Sequence, residues 1–238
     1  MIKYVLPYYR VFHIIPATSI LVMLYSYQYE YKNLKRTSNK LLTMTETFSS
    51  EPVIRAYWLF VTSFCTTVYS GFGPAEFEIF FEKNLRKTPI SKILYNIFQV
   101  SNFSWPIALN AVIFGMAGNY PASENSISTR MSNVHIGFLT LFLVLFLLKS
   151  LSFSALIYHC DPKLQKETGL SLKIFCNAVL LICCPIMGYC IIFECPEDTM
   201  LQDIFCVTEY IVMFTIMVFN AEVFRGFHLC ENLKKSCD

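Results

Sequence analysis

Six stretches of about 20 apolar residues, set apart by short polar segments, constrain this chain most, because about 20 helical residues cross the roughly 30 Å of bilayer hydrocarbon. They cover residues 11–29, 53–73, 93–116, 134–158, 172–193 and 204–224. The expectation is an all-α polytopic membrane bundle of six transmembrane helices, one domain over residues 1–238. Composition agrees: 55% of residues are hydrophobic and 15% charged, against about 25% charged in soluble domains. Tyr25, Tyr27, Tyr29, Tyr31, Tyr57 and Tyr158 lie near the ends of apolar runs, as in an interfacial aromatic belt. Pro16, Pro106 and Pro185 fall inside runs, where neighbouring helices can re-satisfy the freed carbonyls, so kinks are expected and not breaks.

The first run follows Lys3 and Arg10, with no small-residue cleavage site after it, and reads as a retained signal anchor. The connecting segments, residues 30–52, 74–92, 117–133, 159–171 and 194–203, are too short for a second domain. Lysine and arginine divide unevenly between alternate segments. One side holds Lys3, Arg10, Lys83, Arg86, Lys87, Lys92, Lys163, Lys166, Arg225, Lys234 and Lys235; the other holds Lys32, Lys35, Arg36, Lys40 and Arg130. The richer side is expected to be cytoplasmic, with both termini there.

Several function classes drop out. A net charge of +2 without a basic stripe gives nothing to track phosphates, which excludes nucleic acid as a partner. No Gly-rich phosphate loop, Gly-x-Ser-x-Gly elbow, His-Glu-x-x-His or zinc-type Cys-x-x-Cys occurs, so neither a metal site nor a cofactor is implied. Most of the ten cysteines lie inside apolar runs, where a thiol packs as a small hydrophobe. Cys160, Cys230 and Cys237 are juxtamembrane and open to palmitoylation, though simple free thiols are the commoner case. Asn102-Phe103-Ser104 matches a glycosylation acceptor but lies inside a run.

Ionisable groups within spans usually face the bundle interior or snorkel to headgroups. Arg55, His135 and Glu209 each lie near the non-cytoplasmic end of a run, with Glu209 roughly 8 Å in at 1.5 Å per residue. Meeting at one level, they would suit an anionic lipid head and acid–base work on an ester or hydroxyl. The plainer alternative is a structural Arg–Glu pair beside an interfacial histidine. A second polar set lies toward the other side: His13, Asn102, Lys149, Asn177, Asn220 and Glu222. Lys149, about two turns from its helix end, can snorkel, and Asn102, Asn177 and Asn220 are expected to act as interhelical hydrogen-bond glue.

The order of these features resembles the post-GPI-attachment-to-proteins factor two family, related to DRAM-like and Sfk-like six-span membrane proteins. The likeness rests on Glu51-Pro52-Val53-Ile54-Arg55-Ala56-Tyr57, on Asn133-Val134-His135-Ile136-Gly137-Phe138, on Asn177 and Cys195, and on Thr208-Glu209-Tyr210 with Phe219-Asn220. It implies remodelling of the fatty chains of glycosylphosphatidylinositol (GPI) anchors after attachment to protein, in the Golgi membrane or the endoplasmic reticulum membrane. The implied partners are the anchor lipid in the luminal leaflet, other membrane lipids and membrane proteins. His135 would be the proton acceptor, Glu209 its orienting partner or acid, and Arg55 the phosphate clamp. The resemblance leaves open whether such a chain is an acyltransferase, a required subunit or a lipid-presenting accessory. Two positions depart from the pattern: Ser101 stands where relatives carry an acid before the asparagine, and Ile136 follows the histidine. The luminal disulfide that relatives suggest also lacks its partner, since residues 30–52 contain no cysteine; Cys195 is then free, or pairs with Cys190 or Cys206 where helix ends unwind. The non-enzymatic alternative is a DRAM-like or Sfk-like regulator of lipid distribution or autophagy.

Overall fold

The computed structural model describes residues 88–119, 133–160, 162–192 and 199–235, with residues 21, 22, 24–26, 28, 41, 43, 44, 56–60, 63 and 64 before them. The described chain is helical. Its elements are α1 (Pro89–Asn119), α2 (Asn133–Tyr158), the short α3 (Pro162–Glu167), α4 (Leu170–Ile192) and α5 (Thr199–Lys235). The first two expected spans are represented only by helical residues between 21 and 28 and between 56 and 64.

Among the described residues, three helical segments are long and apolar enough to cross a membrane: His135–Tyr158, Leu170–Ile192 and Met200–Asn220. The chain is therefore a multi-pass membrane protein. The expected third span, residues 93–116, lies within α1, whose side chains are described up to residue 112.

Local sequence sets the helix ends. At the start of α1 the Thr88 N–H donates to Ser91 Oγ at 3.0 Å and the Ser91 N–H donates to Thr88 Oγ1 at 3.1 Å. This reciprocal cap, with Pro89 in the first turn where its missing N–H costs nothing, opens the helix. Gln165 closes α2 by donating to the carbonyls of Tyr158 and Cys160 at 2.8 and 2.9 Å. Gly169, at φ 68°, turns the chain into α4 through a left-handed conformation that other residues avoid. Pro106 and Pro185 sit inside continuous helices.

The long helices pack in sequence, α1 on α2, α2 on α4 and α4 on α5. Phe98 stacks on Phe153 and Trp105 meets Phe146 edge-on, with ring centroids 5.2 and 5.4 Å apart, which fixes α1 and α2 as antiparallel. Phe219 of α5 touches both Phe146 and Phe153. Around these rings Phe142, Leu156, Leu180, Met187, Val212 and Ile216 complete one buried core. Outward, Val100, Phe103, Leu141, Phe175, Ile182 and Phe214 are exposed, an apolar exterior suited to lipid and not to water.

Candidate functional site: two buried polar layers

The aromatic contacts carry a register. With Phe98 opposite Phe153 and Trp105 opposite Phe146, Asn102 falls opposite Lys149. Lys149 Nζ donates to Asn220 Oδ1 at 2.9 Å and lies 4.6 Å from the centre of the Trp105 ring and 5.3 Å from that of Phe146. One turn away, Asn177 Nδ2 donates to Ser154 Oγ at 2.9 Å and to the Ser150 carbonyl at 3.3 Å, tying α4 to α2. Lys173, on the same face of α4 as Asn177, is 0% exposed, with Nζ 5.5 Å from the centres of both Phe153 and Phe219. Asn102 is 1% exposed, and its Oδ1 has no hydrogen-bond partner among the described residues. All four long helices thus contribute to one polar layer walled by aromatic rings.

Lys149 does not snorkel. Its ammonium turns inward, because the Asn220 oxygen and two ring faces offer a desolvated cation directional partners that the lipid-facing side of α2 lacks. The sequence reading passed over Lys173. The signal was its place four residues before Asn177 and seven before Leu180, the spacing of a buried helix face.

The second layer lies nearer the start of α5. Glu209 is 6% exposed and accepts a hydrogen bond at Oε2 from the Met44 N–H at 2.7 Å. Asp203 Oδ1 accepts from the Leu41 N–H at 3.2 Å, and Cys206 Sγ donates to the Leu41 carbonyl at 3.7 Å. Residues 30–52 read as a polar connecting segment, yet Thr43 and Met44 within it are buried. Met44 packs with Trp58 in a small cluster completed by Val22, Tyr210, Met213 and Met217. Trp58 Nε1 donates to Ser26 Oγ at 3.3 Å, and Ser63 Oγ to Asn110 Oδ1 at 3.0 Å, which ties the residues before α1 to one another and to α1.

Glu209 lies within the membrane-length stretch Met200–Asn220 of α5, roughly 8 Å along the axis from Ile204 at 1.5 Å per residue. His135, in the first turn of α2, is 4% exposed and hydrogen-bonds to the backbone of Val112 on α1. Because Phe219 lies between Phe146 and Phe153, Glu209 falls at about the depth of residues 139–140 of α2, roughly 7 Å along the axis from His135. Between the two layers the core is apolar, with Phe142, Val212 and Ile216 filling it.

Arg55, His13 and Cys195 lie outside the described residues, as do the side chains of Glu222 and Cys230. Cys190 and Cys206 are thiols within helices and not a disulfide. Cys160 is buried in the turn after α2, where its Sγ lies 3.3 Å from the Leu156 carbonyl and burial pushes the thiol up to about 11. No group of three or more potential metal ligands occurs among the described residues. Comparison with protein-family models, with curated proteins and with solved structures finds no match.

Proposed function

We propose that this multi-pass membrane protein takes part in remodelling the lipid of GPI anchors in a Golgi or endoplasmic reticulum membrane. The observation that carries the reading is the seclusion of a histidine and a carboxylate, His135 and Glu209, in the same half of the bundle, roughly 7 Å apart along its axis. Both belong to the motifs on which the family resemblance rests. An imidazole sheltered from water is suited to take a proton from a hydroxyl, and a buried carboxylate to orient or assist it. Arg55 would hold the anchor phosphate.

A second reading has an observation of its own. The Glu209 carboxylate already serves a main-chain N–H, which suits a structural part in a DRAM-like or Sfk-like regulator that works through membrane-protein partners. The deciding experiment uses cells that lack the family member, re-expressing this chain or its His135→Ala form. The readouts are the surface level of GPI-anchored proteins and the fatty-acid composition of their anchors. Restoration by the native chain and not by His135→Ala is expected. A native chain that reaches the membrane in full amount and leaves anchor composition unchanged would favour the regulator.

A further inference from the structure

We propose that the chain around Leu41 and Met44 is re-entrant, dipping into the bundle to the depth of Glu209, and that Glu209 is the positioning residue that holds it there. The proposal does not depend on the GPI reading. It begins from a requirement: inside hydrocarbon every backbone N–H and C=O needs a partner, and irregular backbone is tolerated there only when protein encloses it.

Three groups on one face of α5 meet that requirement. Asp203, Cys206 and Glu209 recur every three residues, the spacing that stacks side chains along a helix. Asp203 and Glu209 accept from the Leu41 and Met44 amides, and the Cys206 thiol donates to the Leu41 carbonyl. The Glu209 bond, at 2.7 Å, has the short length typical of a charged acceptor.

Side chains agree with the backbone. Met44 is 4% exposed and sits among Trp58, Tyr210, Met213 and Met217, so the segment presents an apolar anchor to the bundle while its amides reach the acids. The local sequence, Leu41-Leu42-Thr43-Met44-Thr45 between Lys40 and Glu46, supplies five uncharged residues bounded by charged ones. That is enough for a short inward excursion and too little for a span. Glu209 is an ionisable group within the membrane-length stretch of α5, and the Met44 amide gives it a use there.

Amide hydrogen exchange on the full chain in lipid nanodiscs tests this. In the native protein, peptides covering residues 41–44 are expected to exchange at least about tenfold more slowly than an unstructured reference. Glu209→Gln keeps an acceptor oxygen and is expected to preserve that protection. Glu209→Leu removes the acceptor and is expected to abolish it while α2 stays protected. Asp203→Leu, nearer the end of the span, releases the Leu41 amide alone and serves if Glu209→Leu does not fold. Unstructured exchange at residues 41–44 in the native chain, or protection unchanged by the leucine substitutions, would overturn the proposal. A Glu209→Gln chain that keeps the segment protected yet fails to restore anchor composition would separate a proton role for the carboxylate from its positioning role.

Discussion

The two polar layers bury charge by opposite means. At the Lys149 level, helices that already pack on one another supply everything described: an asparagine oxygen, aromatic faces and serine hydroxyls. At the Glu209 level, the charge on α5 meets the main chain of a segment 165 residues away in sequence. The first arrangement reinforces contacts that the apolar core makes in any case. The second works beside a small separate apolar cluster, Met44 and Trp58 against Tyr210, Met213 and Met217, and fastens residues 41–44 to the last long helix. A buried charge can thus consolidate a bundle or extend it.

The comparison breaks most visibly at Asn220. Replacing Asn220 with Leu takes away an acceptor and leaves the Lys149 ammonium buried, at an expected cost of about 2–4 kcal/mol. Lys149→Met removes the charge itself and is expected to cost less than about 1 kcal/mol. The double variant should then be more stable than Asn220→Leu alone. Thermal unfolding of the purified chain reads all three, and equal losses from Asn220→Leu and Lys149→Met would show that the layer depends on shape and not on charge.

Met44→Ala probes the other level and is expected to cost about 2–3 kcal/mol through the cavity it leaves beside Trp58. Its effect should be additive with that of Asn220→Leu, because the apolar core separates the layers. A strong non-additivity in the double variant would join the two into one network. Asn177→Leu is a smaller perturbation, about 0.6–1.7 kcal/mol, as for other interhelical hydrogen bonds in membranes.

The smallest effect is chemical. With its thiol pushed up to about 11, Cys160 keeps its proton at neutral pH, so maleimide should label it slowly at pH 7–8 and faster as the pH climbs towards 11. Its contribution to stability is intact below the ordinary cysteine range and is lost as pH rises towards 11. Peptide mapping of the alkylated chain checks this, and the same burial argues against palmitoylation at this position.

The sequence made the helices legible because membrane-length apolar runs have few alternatives, and α2, α4 and the middle of α5 lie where hydropathy placed them. It failed on direction. A lone lysine in a run can snorkel or turn inward, and Lys149 turned inward because Trp105 and Asn220 wait on other helices. Lys173 went unread for the same reason, since Phe153 and Phe219 become its neighbours only after packing. The burial of Met44 had no sequence signature, as five uncharged residues in a polar stretch look like any loop.

The turn from His159 to Gly169 has a consequence for biosynthesis. It is short, capped by Gln165 and reversed at Gly169, so α4 emerges antiparallel to α2. A helix bearing Lys149 or one bearing Lys173 would each enter the bilayer alone at a cost of a few kcal/mol. Delivered as a hairpin, Asn177 finds Ser154 and Lys173 finds Phe153 before α5 is complete. Translocation machinery would then receive one paired unit whose polar groups already face one another, with Phe219 and Asn220 closing the layer only when the last helix arrives.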